Sequence, residues 1–387
     1  MALLAVSAAV VVPASPALAK PRAATITQII ASLAAPRGIT FDGQGSMYIA
    51  ESGIAGAGPV GMTHTGKVSK YARGHTRPSW SVGFNSLYVT GDPAAPPDIL
   101  GPAGISAAGC SKHSEGEHQV CQVQMITSES TPGILAATGG AVNDPQAGHL
   151  FRLNAATGAV TDKADVGSQQ YAFTAAHPDL FPDDFPDSNP YGVLVTKVKH
   201  HTRTFVADAG ANTISEVMRN GTTRIIAYIP NESGPPFRDA TPTCIARGPD
   251  GYLYVGTLNF VANLFVPGTN GNKSNVWRVN PNANYPTAPK LWATGLTTIT
   301  ACTFDRAGNF WATEMFQGGI AAKPPGDIVK IPFAHPAHHT RIGFGRLPVP
   351  GGIAQGPDGA MYVTVGSSAP GVSGAVMRVA VHRGDDD

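Results

Sequence analysis

The sequence predicts an all-β chain folded as one six-bladed β-propeller of four-stranded antiparallel blades. Three observations carry this: a phrase that occurs six times, an alternating strand after each copy, and a composition hostile to long helices. The phrase is a Pro or small residue, an apolar strand, a Gly-bearing turn, then an aromatic-apolar-small strand. Self-similarity of this kind, with four strands per unit, is the pattern of propeller blades. The 387 residues include 45 Gly and 33 Pro, both of which interrupt helices. Hydrophobic residues make up 42% of the chain, enough to build a large core and to exclude a disordered one. Charged residues are only 14% and the net charge is +1; with no basic block in the chain, a nucleic-acid footprint is not expected.

The first copy is Pro36-Arg37-Gly38-Ile39-Thr40-Phe41, a turn at Asp42-Gly43-Gln44-Gly45, then Met47-Tyr48-Ile49-Ala50. A shorter second copy reads Trp80-Ser81-Val82-Gly83-Phe84, then Leu87-Tyr88-Val89-Thr90. The others pair 190–194 with 204–207, 244–251 with 253–256, 302–308 with 310–313, and 352–359 with 361–364. In two of them the turn is Pro-Asp-Gly, where Pro pre-sets φ and Gly accepts φ > 0. Third strands follow at 67–71, 150–153, 214–217, 276–279, 328–331 and 376–379, and fourth strands at 224–228 and 290–293. The wide gap between Tyr88 and Phe205 is read as an inserted loop at about 92–142 within the second blade. The last blade lacks a fourth strand, and residues 26–31 have the pattern of one. This amino-terminal strand is expected to complete the last blade and close the ring.

Residues 2–12 are apolar but for Ser7, Pro13 breaks the run, and Ala17-Leu18-Ala19 precedes Lys20. This reads as a signal peptide over 1–19, leaving 20–387 as a single secreted domain, extracellular or periplasmic. No stretch is long enough to span a bilayer as a helix. In an oxidising compartment Cys110 and Cys121 are expected to pair. A C-x2-H-x4-H-x2-C zinc knuckle with His113 and His118 is the alternative. Cys244 and Cys302 open corresponding segments of successive copies and either pair or stay as small buried thiols.

Several phrases are more specific than the repeat: Pro36-Arg37-Gly38, Asp187-Ser188-Asn189-Pro190-Tyr191-Gly192-Val193-Leu194, and Val206-Ala207-Asp208-Ala209-Gly210-Ala211-Asn212. Pro235-Pro236-Phe237 with Thr241-Pro242-Thr243 belongs with them. On these the chain resembles the ScyD/ScyE family, secreted propellers named after a scytonemin-biosynthesis cluster. The resemblance implies a six-bladed fold of the NHL/SMP-30-like kind and carries no established catalytic residues.

The long second-to-third-strand links share one face with the links between blades, so one face is loop-rich and is the expected binding face. Candidates for lining it are Arg37, Asn189, Tyr191 and Asn212. After each second strand the copies give Glu51, Gly91, Asp208, Thr257, Glu314 and Val365. Glu51, Asp208 and Glu314 are the candidate channel-mouth carboxylates. They either hold a divalent cation, Ca or Mg, or cap the turns that end their strands. Asp179, Asp183, Asp184 and Asp187 form another candidate calcium loop, and His200-His201 and His335-Pro336-Ala337-His338-His339 are expected on exposed turns. Two function classes follow. One is a monomeric binding or scaffolding propeller whose partner is a small molecule, glycan or protein, with no nucleic acid. The other is a metal-assisted hydrolase or lyase, lactonase-like or streptogramin-lyase-like. Where strands enter the channel there is neither His nor carboxylate, which favours binding.

Overall fold

Each copy of the phrase folds as an antiparallel hairpin. In the first blade Pro36–Phe41 pairs with Met47–Glu51, and Val60–Tyr71 and Trp80–Val89 complete the sheet. The computed structural model describes residues 24–90, 98–108, 121–180, 186–199, 201–231, 239–264, 271–316, 325–369 and 371–381. Six sheets stand around a central channel lined by the inner strand of every blade. Ala24–Leu33 pairs with Gly374–Val381, so the amino-terminal strand closes the last blade as the sequence predicts.

The second blade differs from expectation. Trp80–Val89 is the outer strand of the first blade, which gains a short fifth strand, Asp98–Leu100. The inner strands of the second blade are Pro102–Ala108 and Gln122–Thr127, followed by His149–Asn154 and Val160–Asp165. Much of the segment read as an insertion at 92–142 is therefore blade. Cys121 is disulfide-bonded, whereas Cys110, His113 and His118 lie outside the described residues, as do residues 1–23.

The repeat has a steric reason at its centre. A Cβ on Gly38 would lie 2.3 Å from the Ala103 carbonyl oxygen, and one on Gly104 would lie 2.4 Å from that of Tyr191. At these two positions the inner strands of neighbouring blades thus approach backbone to backbone, leaving no room for a Cβ. In the fourth blade this position is Cys244. It is bonded to Cys302 of the fifth, with the Cα atoms 5.6 Å apart, so a covalent link joins two neighbouring inner strands. Hydroxyls add further staples: Thr243 Oγ1 donates to the Ile299 carbonyl at 2.6 Å and Thr300 Oγ1 to that of Pro350 at 2.8 Å. The hydrophobic core is a set of layers between blades, as where Phe205, Ile214 and Ile226 meet Ile245 and Val255.

The opposite face is made of hairpins with a shared polar device. The aromatic of the second strand donates to the turn Asp: Tyr48 to Asp42, Tyr254 to Asp250, Trp311 to Asp305 and Tyr362 to Asp358. In the fourth and sixth blades an Arg from the third strand completes it, Arg278 to Asp250 at 2.8 Å and Arg378 to Asp358 at 2.7 Å. Gly251 and Gly359 hold the positive φ that these turns require.

Candidate functional site

The pairings Pro36 with Glu51, Pro102 with Thr127, and Pro190 with Asp208 put the start of each inner strand and the end of its partner at one end of the channel. The helices Thr131–Ala137, Val166–Ala176 and Phe260–Leu264 lie in links on this same loop-rich face. Ser130 caps the first of them, its hydroxyl oxygen accepting a hydrogen bond from the Gly133 N–H. Within the channel the free space is about 70 Å³. A drug-sized ligand takes roughly 300–1,000 Å³, more than this space offers.

At that mouth Arg37 is buried, with its Nη2 2.7 Å from Asp98 Oδ1 and its guanidinium 5.6 Å from the Tyr191 ring centre. Burial works to lower the Arg37 pKa, but Asp98, Tyr191 and Glu129 outweigh it and hold the charge. Burial raises the Tyr191 hydroxyl above its ordinary range. Burial also pushes the Glu129 carboxyl well up, and the neighbouring Asp187, Asp98 and Asp208 push it further. The Glu129 backbone sits at φ 64° and its N–H donates to Asn189 Oδ1 at 3.1 Å. The mouth is thus one buried cation and one phenol beside Asp98, Glu129, Asp187 and Asp208, held by the inner strands and by a helix-bearing link.

Of the residues expected to line this face, Arg37 and Tyr191 are in the mouth and Asn189 braces Glu129. Asn212 is elsewhere: its side chain bonds Asn231 and Asp239 and accepts from the Thr241 N–H, tying down the link into the fourth blade.

Glu51, Asp208 and Glu314 are fully buried but are not brought together. Each accepts a backbone N–H from the link that enters its own blade: Glu51 from Ala34 at 2.8 Å, Asp208 from Asn189 at 2.8 Å, Glu314 from Thr297 at 2.6 Å. Asp208 also accepts from Ser188, Gly210 and Ala211, and burial pushes it up to about 6. Lys67 approaches Glu51 at 3.4 Å, and Arg341 pairs with Glu314. Among the described residues no three His, Cys, Asp or Glu side chains are grouped to hold a metal ion. These acids are not grouped as a shared Ca or Mg site, since each bonds the link into its own blade. In the second blade the matching residue is Thr127, which stands opposite Pro102, rather than Gly91, which lies outside the described residues.

Asp179 lies in a short helical turn, Asp183, Asp184 and His200 lie outside the described residues, and Asp187 neighbours Glu129. His335, His338 and His339 are on a hairpin of the opposite face. The sequence reading missed Asp98 and Glu129, both within the segment taken for an insertion. The signal was present in Pro102-Ala103-Gly104, a copy of Pro36-Arg37-Gly38 in its spacing.

No family model matches the chain, and no curated protein does. Among solved structures it is similar to a protein of unknown function from Bacteroides thetaiotaomicron VPI-5482, with TM-score 0.53 and 11% identity over 93% of this chain and 76% of that one. It is also similar to the soluble aldose sugar dehydrogenase from Escherichia coli in its apo form, with TM-score 0.51 and 11% identity over 93% of this chain and all 100% of that one. Virginiamycin B lyase from Staphylococcus aureus aligns at TM-score 0.44 and 12% identity, over 93% and 100% of the two chains. At these identities the likeness is one of fold.

Proposed function

We propose that this chain is a secreted, monomeric propeller of the ScyD/ScyE type that binds a small molecule, glycan or protein segment on its loop-rich face. The observation that carries the reading is the mouth itself, where Arg37, Tyr191, Asp98 and Glu129 converge above a bore too narrow for a ligand. Arg37 and Tyr191 offer a donor fork and an aromatic face, and the surrounding acids favour a ligand rich in hydroxyl or ammonium donors. Export is supported by the Cys244–Cys302 disulfide, since such bonds persist outside the cytosol. Among the described residues no helix is long and apolar enough to cross a membrane.

A second reading, a propeller hydrolase or lyase, is favoured by Glu129. A carboxyl that burial and its acidic neighbours push well above the ordinary carboxylate range, beside a fixed guanidinium, is placed to act as a general acid. A metal-assisted form of it finds no support in Glu51, Asp208 and Glu314, which are separately engaged.

A glycan array and a metabolite library, read by binding to the native chain, test the first reading. Hits are expected to lose at least tenfold in affinity with Arg37→Ala or Tyr191→Ala and to be recovered unchanged after incubation. Hits indifferent to both variants would refute the mouth as the site. A hit converted by the native chain but not by Glu129→Gln would establish the second reading instead.

A further inference from the structure

The fold sorts charge between its two faces. On the hairpin face Arg73 and Arg77 project from the outer turn of the first blade, Lys197 and Lys199 from the hairpin of the third, Arg247 and Arg306 from those of the fourth and fifth; all are exposed. Arg219 and Lys290 extend this ring outwards. Among the described residues none of these side chains has an acidic partner within ion-pair distance. The acids of this face are consumed internally. Asp250 and Asp358 are held by Arg278 and Arg378, and Glu216 by Arg203 and Arg224. Both Asp42 oxygens are taken, by the Gln44 and Ser46 N–H groups and by the Tyr48 hydroxyl. Among the described residues, what reaches solvent on this face is therefore basic. Between hairpins of this face lies a cavity of about 380 Å³, lined by Phe41, Asp42, Gln44, Arg73, Arg306 and Pro357. Arg306 is fixed there through its Nη2 to the Gly356 carbonyl at 3.1 Å.

We propose that this hairpin face docks a linear acidic polysaccharide, with one anionic sugar seated between Arg73 and Arg306 and the chain tracking across the basic ring. The cavity is of the size a single sugar needs, and its two guanidinium groups suit a carboxylate or sulfate. A membrane is disfavoured because the large apolar side chains exposed at this face, Val160, Met218 and Leu291, are single and scattered rather than a patch for insertion. Single-stranded nucleic acid is disfavoured because it needs a row of exposed aromatic rings, and Phe344 alone appears among the exposed large hydrophobics described. The loop-rich face carries Asp98 and Asp187, whose charges would repel the same polymer, so docking is directional and leaves the mouth open.

The test is binding of the full chain to polygalacturonate, with fully methyl-esterified galacturonan as the neutral polymer of the same backbone. Tight binding to the first alone is expected, weakening about tenfold or more between 50 and 300 mM salt. Arg73→Glu with Arg306→Glu should weaken binding at least about tenfold, and so should Lys197→Glu with Lys199→Glu on a different blade. Arg346→Glu, at the loop-face end of Thr340–Leu347, should stay within about twofold of the native chain. All these residues are exposed, and unchanged melting confirms folding. Equal binding of the esterified polymer, indifference to both double variants, or tighter binding to anionic vesicles or single-stranded DNA would overturn the proposal.

Discussion

A buried carboxylate that ends the second strand recurs in blades one, three and five because the link into each inner strand presents a backbone N–H that needs an acceptor. Leaving that group unpaired in the interior costs about 1–3 kcal/mol, while burying the acid raises its pKa; the two effects oppose each other. Asp208 shows the balance. It accepts four hydrogen bonds and is still pushed up to about 6 from an ordinary 3.8. An acid whose pKa rises on folding binds more protons in the native state, so its contribution to stability is complete below about pH 4 and is lost as pH rises through 6. Asp208→Asn removes that titration while keeping an oxygen for the backbone donors. The native chain should therefore gain stability over the variant as pH falls from 7 to 4.5, by about 2 kcal/mol. Urea melts at the two pH values measure this, and a constant difference between the proteins would show that Asp208 titrates normally.

At the scale of the blade, how much could be read from sequence depended on one side chain. In five blades the second strand carries an aromatic, Tyr48, Phe205, Tyr254, Trp311 or Tyr362, at matching register. In the second blade Gln124 occupies that place, paired opposite Ser106, and it accepts from Thr204 Oγ1 of the third blade at 3.1 Å. With the aromatic gone, Trp80 and Tyr88 of a long outer strand imitated the phrase and shifted the second copy. Glu129 and Asp98 were lost with it, so the mouth was only half visible while the blade count, the closure and the loop-rich face were not affected. Cys244 and Cys302 could not be assigned from spacing, because pairing depends on how closely two inner strands approach. Their bond closes a segment with sequence separation 58. In the chain-entropy description a loop of that length is worth about 4 kcal/mol at most. A reductant should lower the melting temperature of the native chain clearly more than that of the Cys244→Ser, Cys302→Ser double variant, which keeps the bond at Cys121. An equal fall in both would place the reductant's effect at another bond.

For the whole molecule, a net charge of +1 conceals two unlike faces. The basic residues of the hairpin face come from segments far apart in the chain, so no run of charge announces them; only the ring gathers them. That gathering depends on closure, and closure depends on Ala24–Leu33 pairing with Gly374–Val381. Backbone pairing alone would leave the strand as a weakly held edge, since its outward residues Thr25, Thr27 and Gln28 are exposed. Its anchorage is the inward end, where Ile30 and Leu33 pack with Val376 of the last blade and with Ile39, Met47 and Ile49 of the first. These two side chains therefore join the chain's beginning to its end and also seal the first blade against the last. Truncating a buried Leu costs about 2–5 kcal/mol, while a surface substitution such as Thr27→Ala stays within about 0.5. Leu33→Ala should lower the unfolding free energy by the first amount and should also expose the edge of Gly374–Val381 to pairing with other chains. Denaturant melts combined with light scattering read both effects. If Leu33→Ala and Thr27→Ala behaved alike, the ring would be held shut by backbone pairing rather than by this packing.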